Sequence, residues 1–88
     1  MLRNFQSSFS LELFKVADMN EREQFAENLQ RILVEKGYEP KASVIEREFN
    51  LRHYGKPIGL HAVARWLRGE GLPSLSRIKT LAEWLEVD

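Results

Sequence analysis

The sequence predicts a small all-α domain that follows an extended N-terminal arm. Four segments place apolar residues at the spacing of an amphipathic helix, and a proline or a glycine marks most of the boundaries between these segments. Near the N-terminus the apolar residues alternate instead with polar ones, as in a β-strand. The chain has 88 residues, 43% of them hydrophobic and 30% charged, which suits one domain with one core.

Residues 1–17 form the predicted arm. Phe9, Leu11 and Leu13 follow the alternating pattern, which Phe14 then interrupts. A lone strand is not stable in water, so these apolar side chains need a partner. The helices of the same chain could cover them, or the arm of a second copy could pair with them in a two-fold homodimer. We therefore divide the chain into a possible dimerisation arm, 1–17, and a helical domain, 18–88.

The first two helices are predicted from their stripes and their ends. One helix runs from Met19 to Lys36, with acidic residues near its start and Gly37 as a left-handed C-terminal cap. A second, shorter helix follows Pro40 and covers residues 41–50. The residues predicted to be buried are Phe25, Leu29, Ile32 and Leu33 in the first helix, and Val44, Ile45 and Phe49 in the second.

The third helix, residues 59–68, has two different faces. At about 100° per residue, Val63, Trp66 and Leu67 form an apolar stripe. The opposite face carries His61, Arg65 and Arg68, with Leu60 and Ala64 at the border between the two faces. The helix therefore buries one side and presents a basic side.

The fourth helix begins after Ser74, a favourable N-cap that directly follows Pro73. We expect both tryptophans of the chain to be core residues. Trp84 lies at the rim of its apolar stripe, so a place at an interface is the alternative for it. The side chains predicted to be buried in this helix are Leu75, Ile78, Leu81, Ala82 and Leu85.

The formal net charge is zero, but the charges are unevenly distributed. Residues 41–69 carry six basic and two acidic side chains, whereas residues 1–40 and 70–88 each have a balance of −2. A basic middle between acidic flanks predicts one surface that attracts phosphate, and an ordinary surface of mixed charge is the alternative.

Several classes of function lack support in the sequence. The chain has no cysteine, no apolar run long enough to cross a bilayer and no signal-peptide pattern, so we expect a cytoplasmic protein without a membrane partner. Its two histidines lie eight residues apart without clustered carboxylates, which argues against a metal site. We find no nucleophile elbow and no glycine-rich phosphate loop. We therefore expect neither catalysis nor a cofactor.

The order of the predicted helices and the motifs in the last two resemble a known family. The segments are "IGLHAVARWLRGEGLP" and "SLSRIKTLAEWLEV", with Gly69 after the third helix, Pro73 before the fourth, and a closing "LAEWL". Over residues 20–87 the chain resembles the Cro/repressor-type helix-turn-helix proteins, the XRE family. This resemblance implies a lambda-repressor-like bundle of four to five helices, with helix 59–68 entering the major groove of DNA.

The resemblance also implies roles for individual residues. The positions that face base edges in the family correspond to Leu60, His61, Ala64 and Arg65. Two positions near the start of the second helix, Lys41 and Ser43, correspond to phosphate contacts. Arg68, at the end of the third helix, is a further candidate for phosphate.

The sequence departs from the family pattern in two places. Glu46 stands where the family usually has a small residue at the crossing of the second and third helices, and burying its carboxylate would be costly. An additional "LRHYGKP" lengthens the turn between these helices. Its Arg52 and Lys56 are suited to phosphate contacts, although a loop exposed only to solvent is the alternative.

These observations predict a sequence-specific DNA-binding transcriptional regulator, expected to be a repressor, that binds double-stranded DNA as a homodimer. Two alternatives keep the helix-turn-helix fold. One is a protein-interaction module without DNA binding. The other is an antitoxin-type protein that binds a protein partner and represses its own operon.

Overall fold

The computed structural model describes residues 20–87, which form four helices and contain no strand. The predicted all-α class is confirmed for this part of the chain, whereas the predicted arm, residues 1–17, lies outside the described residues. The helices are α1 (Glu21–Glu35), α2 (Ala42–Asn50), α3 (Leu60–Leu67) and α4 (Leu75–Leu85).

Local hydrogen bonds define both ends of α1. The Oδ1 atom of Asn20 accepts a hydrogen bond from the backbone N–H of Glu23 at 2.9 Å, so the helix begins two residues later than predicted. At the other end Gly37 adopts a φ of +91°, and the N–H of Tyr38 donates to the carbonyl of Leu33 at 2.8 Å. The predicted left-handed cap at Gly37 is confirmed.

All four helices contribute side chains to one core, in which α3 packs against α1 and α2, and α2 also packs against α4. Trp66 lies near its centre, with its ring edge-on to Phe25 at a centroid distance of 6.3 Å and to Phe49 at 6.1 Å. The fully buried large side chains are Phe25, Leu29, Leu33, Ile45, Phe49, Val63, Leu81 and Leu85. The stripes predicted for α1 and α3 therefore correspond to the observed core, with Leu67 partly buried at its edge.

The predicted buried face of α4 is wrong at its first residue. Leu75 is 79% exposed, whereas Thr80, which the stripe did not include, is buried. Trp84 is buried as expected. The buried face is rotated toward these two residues because neighbours outside the helices cover them. His53 shares a hydrogen bond of 2.6 Å with the Thr80 hydroxyl, and the ring of Tyr38 packs edge-on against Trp84 at 5.1 Å.

The contact between α2 and α3 leaves Glu46 partly exposed. Ile45 and Phe49 are fully buried, whereas Val44 and Glu46 remain partly exposed. Glu46 therefore keeps some contact with water, so the cost of desolvating its carboxylate is smaller than that of full burial. Within residues 20–87, no helix has the length and apolar character needed to cross a membrane.

Candidate nucleic-acid interface

Helix α3 is fixed to the rest of the domain along one side and at its C-terminal end. Val63 and Trp66 point into the core between α1 and α2. The side-chain amide of Gln30, on α1, donates a hydrogen bond to the carbonyl of Leu67 at 3.1 Å. This bond satisfies one of the last carbonyls of α3, which have no partner within the helix. The orientation of α3 is therefore set by packing and by a polar contact to α1.

The end of α3 requires a glycine for two reasons. Gly69 has a φ of +75°, which a residue with a Cβ adopts only at a cost. A Cβ atom at this position would also lie 3.3 Å from the Cα atom of Glu23, in the first turn of α1. The N–H of Glu70 then donates to the carbonyl of Arg65 at 2.8 Å, which closes the cap. The chain thus turns sharply away from the helix while the cap lies against α1.

The outward side of α3 presents the four residues predicted to face bases. Leu60 is 49% exposed, His61 and Arg65 are exposed, and Ala64 is partly exposed. A partly apolar surface with one imidazole and one guanidinium results. Within residues 20–87 about half of Leu60 stays uncovered, so the start of α3 offers an apolar contact to an external surface.

Arg65, in α3, and Arg68, its C-cap residue, both contact Glu70. They contact different atoms of that residue. The Arg65 Nη2 atom donates to the Glu70 backbone carbonyl at 2.8 Å. The Arg68 Nη2 atom donates to the Glu70 carboxylate at 3.0 Å. The Arg68 guanidinium holds the pKa of Glu70 below its ordinary value, chiefly through this hydrogen bond, and the carboxylate raises the pKa of Arg68 in turn. Glu70 therefore carries its charge beside the basic face of α3.

Arg65 also lines an open cleft that the sequence did not suggest. The cleft lies between the start of α1 and the segment that joins α3 to α4, and its wall includes Asn20, Arg22 and Gly71. Arg22 belongs to the acidic first part of the sequence, so the charge distribution along the chain gave no reason to associate it with α3. The fold brings this cation to the same cleft as Arg65.

The candidates for phosphate contacts on α2 and its preceding residue are accessible. Lys41 and Ser43 are exposed, and Lys41 is the N-cap residue of α2 but makes no side-chain cap hydrogen bond. The Lys41 ammonium lies 3.5 Å from the carboxylate of Glu39, and both side chains are largely exposed. Because exposed pairs of this kind contribute little, Lys41 can exchange Glu39 for another anion at small cost.

Arg52 is more strongly held than the other candidates for phosphate contacts. Its Nη1 atom donates to the backbone carbonyl of Glu48 at 2.7 Å and to the Glu48 carboxylate at 2.9 Å. The guanidinium also lies over the ring of Trp84, 5.7 Å from the centroid. Arg52, and to a lesser extent Arg47, lower the pKa of the Glu48 carboxyl. These contacts favour a structural role for Arg52, while Lys56 in the same loop is exposed.

Two side chains close the long loop between α2 and α3. The side chain of Asn50 makes a pair of hydrogen bonds with Ile58: its Nδ2 donates to the Ile58 carbonyl and its Oδ1 accepts from the Ile58 N–H, each at 3.0 Å. His53 packs against the ring of Phe49 and bonds to Thr80 on α4. The additional residues are therefore tied to the domain at both the base and the side of the loop.

Metal chemistry has no evident site in this region, since no group of three or more potential ligands occurs within residues 20–87.

No protein family, curated protein or solved structure matches the chain. The candidate interface is a short helix packed on one side against α1 and α2, and its accessible face combines apolar, imidazole and guanidinium groups. Such a face can dock against a polyanion and form hydrogen bonds with it.

Proposed function

We propose that this protein is a sequence-specific DNA-binding regulator that inserts α3 into the major groove. The observation that carries this proposal is the division of α3 between a face buried against α1 and α2 and a face that leaves Leu60, His61 and Arg65 accessible. A major groove about 12 Å wide admits one helix. The exposed face offers an apolar side chain, an imidazole and a guanidinium, which are groups that such a helix can use to recognise bases.

The proposed roles follow from the chemistry of each side chain. Arg65 bonds a guanine edge through two nitrogens, and Leu60 and Ala64 contact thymine methyl groups. His61 lies on the same outward surface and offers a ring nitrogen to a base. Sequence-independent contacts to the phosphates come from Lys41, Ser43, Lys56 and Arg68, with Arg52 as the more restrained member of the set.

The pairing of α2 with α3 supports a helix-turn-helix assignment with a lengthened turn. The two helices pack directly against each other, and Asn50 joins the end of α2 to Ile58, two residues before the start of α3. In proteins of this type the first helix of the pair crosses the DNA backbone while the second enters the groove. We propose that the protein acts as a homodimer, with two copies of α3 about 34 Å apart on a two-fold site.

Selection of bound sequences from a random DNA pool, followed by affinity measurements on two variants, tests this proposal. Arg65→Ala is expected to cost about 1–3 kcal/mol on the selected site and to relax base choice at one position of each half-site. Arg68→Ala is expected to weaken selected and random DNA alike, and to make the slope of log affinity against log salt shallower by about one per contact.

Lys36→Ala is the control for the loss of a positive charge. Lys36 is exposed at the C-terminal end of α1, whereas the cap of α3 lies against the first turn of that helix. The control is expected to leave base choice unchanged and to alter the affinity less than either arginine variant. If no sequence is enriched and wild-type binding does not depend on salt, the DNA-binding proposal is wrong and the protein-interaction module becomes the better hypothesis.

A further inference from the structure

The basic face of α3 has an acidic residue built into its edge. Glu70 follows the glycine cap, and its backbone is bonded twice to Arg65: its N–H donates to the Arg65 carbonyl and its carbonyl accepts from the Arg65 guanidinium, each at 2.8 Å. These bonds fix the Glu70 backbone relative to α3. The carboxylate is consequently held within reach of Arg68, which it contacts at 3.0 Å.

We propose that the Glu70 carboxylate competes with DNA phosphate for Arg68 and thereby limits the affinity of this protein for DNA of any sequence. This inference rests on the DNA-binding function proposed above. A guanidinium that is already bonded to a carboxylate must give up that bond, or share it, when a phosphate approaches. The carboxylate also repels the phosphate directly, because both are anions separated by a short distance.

The exposure of the pair makes this competition reversible. The side chains of Arg68 and Glu70 are 55% and 52% exposed, so water replaces the contact at little cost when Arg68 turns toward DNA. The contact between Arg52 and Glu48 differs, because the Glu48 side chain is only 18% exposed and Arg52 makes a second bond to a backbone carbonyl. Of these two arginines, Arg68 is therefore the one that a phosphate can capture more easily.

The hydrogen bond that orients Arg65 does not involve the Glu70 carboxylate, whose charge acts on Arg65 more weakly than on Arg68. The partner of Arg65 is the backbone carbonyl of Glu70, which remains in place when the side chain at position 70 is changed. A substitution of the carboxylate therefore alters the charge beside Arg68 while the hydrogen bond that orients Arg65 is kept. This separation predicts a change in sequence-independent affinity without a change in base choice.

Glu70→Gln tests the proposal, with fluorescence anisotropy on a random-sequence duplex and on the selected site over a range of salt concentrations. Glutamine keeps the length of the side chain and an oxygen that can accept from Arg68, but it removes the charge. The affinity for both duplexes is expected to rise about two- to fivefold at low salt, with a salt slope steeper by up to about one. Circular dichroism should show an unchanged fold, since exposed pairs contribute little to stability.

Two further variants show whether the gain arises at Arg68. Glu86→Gln removes the same charge from an exposed glutamate at the C-terminal cap of α4, and it is expected to change the affinity less than twofold. In the Arg68→Ala background, Glu70→Gln should lose most of its effect, because the cation for which the carboxylate competes is absent.

The proposal is overturned if Glu70→Gln raises the affinity no more than Glu86→Gln does, or if its gain is undiminished in the Arg68→Ala background. In either case the DNA-binding proposal still stands if the affinity of the wild-type protein for DNA depends clearly on salt. If the wild-type protein itself shows no salt-dependent binding to either duplex, both proposals fail together. A gain that exceeds the control and depends on Arg68 supports the competition.

Discussion

Asn50→Ala removes the pair of hydrogen bonds that joins the end of α2 to Ile58, two residues before the start of α3. Both bonds are 3.0 Å long and lie in a partly buried region. A neutral hydrogen bond contributes about 1 kcal/mol net, so the loss of two predicts a decrease of about 2 kcal/mol in the free energy of unfolding. The variant should still fold, because this loss is smaller than the stability of about 5 kcal/mol at the low end of the range for native proteins.

Urea unfolding followed by circular dichroism measures this effect. The midpoint is expected to fall by about 1–2 M without a change in the slope, as expected when stability changes but the surface exposed on unfolding does not. Gln24→Ala is the matched control, because it removes an amide from a partly exposed position on α1 and should stay within about 0.5 kcal/mol of the wild type. A loss in Asn50→Ala no larger than in this control would refute the argument that Asn50 holds the loop closed.

Three other predictions concern the core, the ion pairs and the arm. Trp66→Ala removes a 3%-exposed ring that contacts two other aromatic rings, so it should lower the free energy of unfolding by about 3–5 kcal/mol. Circular dichroism should show a largely unfolded protein, and a folded variant would contradict the assigned core face of α3. Because the hydrogen bond from Arg52 lowers the pKa of Glu48 below its ordinary value, this carboxylate stabilises the fold at pH values above the ordinary pKa. Its contribution disappears as the pH falls through the lowered pKa. In Glu48→Gln the free energy of unfolding should therefore fall less steeply as the pH is lowered through the acidic range. An unchanged pH dependence would show that the pair with Arg52 does not contribute to stability. Deletion of residues 1–17 should reduce the mass in solution from two chains to one if the arm forms the proposed dimer, whereas an unchanged mass would remove the arm from the interface.

Much of the candidate interface could be predicted from helical periodicity alone. Once Val63 and Trp66 are taken as buried, the spacing of about 100° per residue directs His61 and Arg65 away from the core, and the structure agrees. The partners of the cations could not be predicted in this way. The contacts that distinguish a restrained Arg52 from a displaceable Arg68 depend on side-chain conformations and on the burial of Glu48, which periodicity does not specify.

The sequence by itself determined the helices of the described domain and several of their ends. An apolar stripe with a helical period must be buried, and a glycine such as Gly37 or Gly69 ends a helix because it adopts a positive φ cheaply, so these features follow from local chemistry. Only the tertiary structure decided which side of α4 is covered. Leu75 fits the stripe but lies at the first turn and is 79% exposed in the described domain, whereas Trp84 packs against Tyr38, a residue 46 positions away in the chain. Burial depends on which residues the fold brings together, and helical periodicity does not specify the contact of His53 with Thr80 or that of Asn50 with Ile58.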